Sequence, residues 1–184
     1  MSKVLLILAV LVVIALLAVM SRNRLVRANI SVDEAWAQIE VQLKRRSDLI
    51  PNLVETVKGY ASHESTTFEA IVAARAKATS ASTVAETAAA DGQLTQALRG
   101  LLAVTENYPD LKASTNFLAL QEELSSTENK VSFARQFYND NVRTLNSAIK
   151  TFPSSLFVGS AKVSVRAFYE VDDPQDRKAP QVKF

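Results

Sequence analysis

The sequence predicts an all-α protein: an amino-terminal transmembrane helix that continues into an elongated, antiparallel, coiled-coil-like helical bundle, followed by a short extended tail. Three observations carry this. Val4 to Met20 is an unbroken apolar run of 17 residues, at the short end of what crosses a bilayer as a helix. Two later segments repeat apolar residues at alternating intervals of three and four, the mark of helices packed lengthwise. Only four glycines and five prolines occur in 184 residues, and an apolar share rich in Ala, Leu and Val favours helix. The division that follows is an anchor over 1–26, a helical bundle over 27–152 and a tail over 153–184.

The opening MSKVLLILAVLVVIALLAVMSRNRLVR has two readings, a retained anchor or a cleaved signal peptide with Lys3 as its basic end. The run is longer than a typical signal core, and Arg22, Arg24 and Arg27 follow at once, which favours the anchor. The lipid bilayer is then a partner through residues 4–20. Three arginines after the span against one lysine before it favour the carboxy-terminal part on the cytoplasmic side of the membrane, with a periplasmic placement as the alternative.

The first seam runs Trp36, Ile39, Leu43, Ile50, Leu53, Val57 and Tyr60, with Arg46 at its one position that is not apolar. Its phase persists across Pro51, which predicts one continuous, kinked helix rather than two. Proline removes a backbone donor, so the carbonyl of Ser47 is left needing another. An arginine on a seam costs stability unless paired, and its best-attested use is to fix register or partner. Arg46 is expected to face the third long helix and meet a carboxylate there, or the oxygen of Thr127 or Asn141, with Asp48 as a local alternative. Arg46→Met should then be tolerated or stabilising in thermal unfolding, and Arg46→Ala should destabilise through lost packing and an orphaned partner. Lys44 and Arg45 read as a solvated face, since an upright helix carries them about 35 Å beyond Met20 at ~1.5 Å per residue.

The pattern loosens through Phe68, Ile71 and Val72 to about Lys77. The small, polar stretch TSASTVAETAAADGQ reads as a frayed connection ended by Asp91-Gly92. A shorter helix with Leu94, Leu98, Leu101 and Leu102 on one face stops at Asn107-Tyr108-Pro109. The third long helix starts near Ser114. Its seam holds Phe117, Leu120, Leu124, Thr127, Val131, Ala134, Tyr138, Asn141, Leu145, Ala148 and Phe152, and Pro153 terminates it. In the tail, Val163, Val165, Ala167 and Tyr169 alternate at strand spacing. With no strand elsewhere in the chain, the expected partner is another copy, joined by strand addition.

Composition argues against several functions. A net charge of +2 without an aromatic-basic stretch gives no reason to expect nucleic acid. The absence of cysteine removes disulfides, thiolate metal sites and a cysteine nucleophile. The single histidine, His63, precedes Glu64, but Thr67 stands where the second ligand of a zinc-protease motif would be. No glycine-rich phosphate loop occurs. No catalytic residue, cofactor or metal is therefore expected, and the chain does not read as an enzyme.

The stretch AWAQIEVQLKRRSDLIPNLVETVKGYASHE, 35 to 64, closely resembles the signature of the bacterial LemA family. SFARQFYNDNVRTLNSAIKTFPSSLFV, 132 to 158, is similar to its second block, and the anchor and PQVKF ending also fit. The resemblance implies a membrane-anchored, elongated antiparallel helical domain with no established enzymatic activity. The family includes a magnetosome membrane protein, and other members lie near membrane-protease genes. Carried over by position, its marked residues are Trp36, Lys44, Arg45, Arg46, Asp48, Leu49, Pro51, Asn52, Leu53, Tyr60, His63 and Glu64. In the second block they are Arg135, Phe137, Tyr138, Asn139, Phe152 and Pro153. None has an assigned chemical role. Two functions are expected: a self-associating membrane scaffold that organises membrane proteins or membrane shape, or a regulatory adaptor. The adaptor would bind one client, such as a membrane protease, through the seam over 44–64. The interaction candidates are Trp36, Arg46, Asp48, Pro51, Asn52, Tyr60, Arg135, Tyr138, Val163, Val165 and Tyr169.

Overall fold

The computed structural model describes residues 1–170; the PQVKF ending lies outside the described residues. The order is α1 (Ser2–Lys58), α2 (Ser65–Ser80), α3 (Val84–Thr105), a single turn α4 (Pro109–Lys112), α5 (Thr115–Lys150), a 3-10 turn (Ser154–Phe157) and a single turn α6 (Val158–Ala161). The fold is all-α. Packing divides the chain into two compact units. One joins Met1–Ile39 to Ala134–Phe168, and the other joins Glu40–Phe133 to the chain from Tyr169.

α1 is one helix of 57 residues with Pro51 inside it. A proline cannot donate to the carbonyl four residues back, and the structure supplies the missing donor: Arg75 Nε on α2 donates to the Ser47 carbonyl at 2.9 Å. The proline ring itself is exposed, while Ile50 and Leu53 on either side are buried. The seam therefore keeps its phase because the cost of the proline falls on the solvent face and the orphaned acceptor is satisfied by a neighbouring helix.

In the first unit, the apolar run up to Met20 is exposed except for the half-buried Ala18, and α1 is long and apolar enough to cross a membrane. Burial begins at Ser21 and Leu25 and continues through Val32, Ala35 and Ile39. From α5 the unit buries Ala134, Tyr138, Leu145 and Ala148, as expected of the seam, but Val142 is buried in place of Asn141, which is only half-buried. Phe152, expected to close that seam, lies past the end of α5 and is 80% exposed.

In the second unit, Ile50, Leu53 and Val57 of α1 share a core with Phe68 and Ile71 of α2, Leu94, Leu98 and Leu101 of α3, Leu111 of α4, and Phe117 and Leu124 of α5. The seam of α1 stops at Val57, because the helix ends at Lys58 and Tyr60 falls in the following turn, 46% exposed.

The expected frayed connection shrinks to residues 81–83, and the rest of it is helix. α3 starts at Val84 and runs through Asp91-Gly92 without a break. Its start is a capping box: the Thr83 hydroxyl accepts from the Glu86 backbone N–H at 3.2 Å, and Glu86 Oε2 accepts from the Thr83 N–H at 3.1 Å. The T-x-x-E spacing that encodes it was legible. The Ser82 backbone N–H and then its hydroxyl, with the Thr83 N–H, hold the Glu86 carboxyl below its ordinary value. That carboxylate's share of stability is present above its ordinary value of 4.5 and is lost as pH falls through the lowered one. Thr83→Ala should cost about 1 kcal/mol, read by urea unfolding at neutral pH.

Candidate functional site

The centre of the second unit is a buried ionic group around Arg46, whose side chain is 2% exposed. Its position on α1 between Leu43 and Ile50 points it inward with the seam. One Nη donates to Asp91 Oδ1 at 2.7 Å. The other donates to Thr95 Oγ1 at 2.9 Å and pairs with Glu128 Oε2 at 2.7 Å. Glu128 is a carboxylate on α5, the third long helix. Thr127 and Asn141 turn back on their own helix, bonding the carbonyls of Glu123 and Phe137. Asp48 is exposed and pairs with Lys44 at 2.9 Å, and Arg45 pairs with Glu123.

Asp91 is the unexpected partner. Its side chain is 3% exposed, and its second oxygen accepts from the Tyr169 hydroxyl at 3.1 Å. Thr95, one turn on, also donates to the Asp91 carbonyl at 3.0 Å. Asp91 stands three residues before Leu94 and seven before Leu98, so it occupies the inward stripe of α3 as Arg46 does that of α1. Reading Asp-Gly as a stop signal hid this; extending the leucine spacing backward would have found it.

In the first unit the tail is held by side chains. The Asn146 amide on α5 donates to the Arg166 carbonyl and accepts from its N–H, both at 2.9 Å. One asparagine thus meets the backbone of an extended residue as a neighbouring strand would. Tyr138 donates its hydroxyl to the Ala167 carbonyl at 3.0 Å, and its ring lies 5.5 Å from that of Trp36. The Arg166 guanidinium pairs with Asp33 and reaches Asn29 Oδ1 at 3.4 Å. Burial raises the Tyr138 hydroxyl above its ordinary value; Arg166 opposes this and Asp33 adds to it.

The tail is extended, as expected, and within one copy of the chain it is held by helix side chains. Residues 163–170 form no strand, and their hydrogen-bond partners lie in the same chain. Nor does burial alternate as a half-buried strand would: Val163 is half-buried, Val165 is 57% exposed, and Tyr169 is buried. Helix side chains supply backbone partners here, so no sheet is required. Asn146→Ala should speed hydrogen exchange at the Arg166 amide at least tenfold while leaving the second unit's core amides unchanged.

The remaining candidates are dispersed. Pro51 and Asn52 are exposed on α1, Arg135 is half-buried in the first unit, and His63 is exposed. Among the described residues no group of three His, Cys, Asp or Glu is placed to hold a metal. Each polar group joins residues of one unit, but Arg46 and Asp91 are buried whereas the Arg166–Asp33 pair lies at the surface. Their chemistry is that of fixing helix register and tail position, the use for which buried ion pairs are best attested. Residues missed from the sequence are Asp91, Glu128, Arg75, Asn29, Asp33, Asn146 and Arg166.

A helical body behind one helix able to span a bilayer, organised by buried polar groups, defines the class. Residues 35–184 match the LemA family. The chain belongs to that family. It is similar to Protein LemA of Metamycoplasma hominis, 28% identical over 132 residues, which is 71% of this chain and 60% of that protein. The chain thus matches about three-fifths of the length of that curated relative.

Proposed function

We propose that this chain is a membrane-anchored helical scaffold, of a bacterial inner membrane, that self-associates and organises membrane proteins or membrane shape. The observation that carries the reading is the continuity of α1. The apolar run and the seam belong to one helix from Ser2 to Lys58, so the body is borne on the anchor itself rather than on a flexible tether. Outward apolar side chains give such a body surface for like partners. Phe133 is 70% and Leu118 50% exposed on α5 in the second unit, and by helical geometry they point within about 60° of each other.

The adaptor reading keeps less of its seam. Arg46, Ile50, Leu53 and Val57 are buried within the chain, which leaves Tyr60, 46% exposed, to meet a client there. Mass measurement of the full chain purified in detergent tests the choice. A large homo-oligomer supports the scaffold. A monomer rejects self-association and returns the adaptor.

A further inference from the structure

The first unit carries a second apolar feature besides the anchor. Phe152 is 80% and Leu156 70% exposed, on the turn between α5 and α6, while Ser154 between them is buried and holds the turn in place. Exposed large apolar side chains on a turn normally mark a contact.

Side-chain contacts in this unit fix the height of that turn along α1. Trp36 meets Tyr138, and Asn29 and Asp33 meet Arg166, which is clasped by Asn146. α5 therefore runs antiparallel to this part of α1. Continued at equal rise, the register sets Lys150 and Phe152 beside about residues 22–26 of α1. Leu25 and Ser21, the first buried residues after the apolar run, agree with that height. The turn then lies about 5 Å past Met20 along the helix axis. A bilayer's headgroup layer is about 5–7 Å deep on each side.

Charge at this level has one sign. Residues 20–32 contain Arg22, Arg24 and Arg27 and no carboxylate, and residues 141–169 contain Arg143, Lys150, Lys162 and Arg166 and no carboxylate. Of these, Arg166 pairs with Asp33 and Arg143 with Asp140, whereas Arg22, Arg24, Arg27, Lys150 and Lys162 are exposed. The modest net charge of the whole chain conceals this local excess. Cations beside outward apolar side chains suit an anionic lipid interface, where the apolar groups enter below the headgroups and the cations meet phosphate.

We propose that the turn Phe152–Leu156 is a second membrane contact, inserted into the headgroup layer of an anionic bilayer beside the exit of α1. The inference rests on the membrane-anchor reading of residues 4–20. It gives the first unit two points of attachment, which fix its rotation about the helix axis as well as its height.

The lack of cysteine makes the test direct. Ser155→Cys, an exposed site between the two apolar residues, takes an environment-sensitive fluorophore in the full chain. The protein is reconstituted in vesicles of phosphatidylcholine and phosphatidylglycerol. Emission should rise several-fold over detergent-free buffer values for a labelled Val72→Cys control, and headgroup-level nitroxide lipids should quench it. Phe152→Asp with Leu156→Asp should return it to the control level. A label at Val12→Cys, quenched by deep nitroxides, reports the anchor separately. A quenched Val12 label with a water-exposed Ser155 label overturns the proposal and leaves the anchor intact. A water-exposed Val12 label overturns both. A Ser155 label shielded from water yet untouched by lipid nitroxides means a protein covers the turn, which also rejects the lipid contact.

Discussion

Arg46→Ala should destabilise the second unit by about 3–5 kcal/mol, the usual cost of breaking a buried ion pair from one side. The reason is what it leaves behind. Asp91 is 3% exposed and would lose the guanidinium that neutralises it, while the Tyr169 hydroxyl stays at its second oxygen. Arg46→Met, expected from the sequence to be tolerated, should be nearly as damaging. That expectation supposed a partner able to turn to water, as Glu128 can at 39% exposure, and Asp91 cannot. Removing both charges is different. Arg46→Met with Asp91→Leu replaces a costly desolvated pair with packed apolar groups and should recover most of the loss. Urea unfolding of the two single variants and the double variant measures the coupling. Additive effects in that cycle would mean the charges do not depend on each other.

Arg75→Ala should cost about 1–3 kcal/mol, because it orphans the buried Ser47 carbonyl that its Nε now satisfies. The same substitution in a Pro51→Ala background should cost far less, since an alanine in place of the proline restores a backbone N–H within α1 for that carbonyl. Pro51→Ala alone should be neutral or stabilising, given that proline inside a helix costs ~3 kcal/mol less any offset already built around it. The sign of the coupling is the test. If Arg75→Ala is equally costly with and without the proline, its role lies in something other than the missing donor.

Such pairings explain why some of this protein was legible and some was not. The apolar run, the length of α1 and α5 and the inward stripe from Ile39 to Val57 are written in spacing alone, because a helix turns each residue by a fixed angle whatever surrounds it. The need of the Ser47 carbonyl for a donor was also local, since it follows from one proline ring. Its donor was not. Arg75 lies 28 positions away, and nothing in the chain's periodicity marks it from any other cation on α2.

Asp91 shows how a local rule can mislead. Asp-Gly is a common turn pair, but the intrinsic penalty of glycine in a helix is about 1 kcal/mol, less than burial of the leucine stripe returns. Tertiary packing outweighed propensity, and the supposed connection became part of the core. The tail shows the same at the level of hydrogen bonds. An extended segment must satisfy its backbone groups, and the sequence dictates that requirement. Which groups satisfy them is a matter of proximity. Asn146 and Tyr138 meet Arg166 and Ala167 because α5 and the returning chain lie side by side. The sequence by itself determined an all-helical chain with one membrane-length helix and its inward faces, since these follow from local geometry. Only the tertiary structure decided the partners of Arg46, of Ser47 and of the tail, because an ion pair or hydrogen bond depends on distances between residues far apart in the chain.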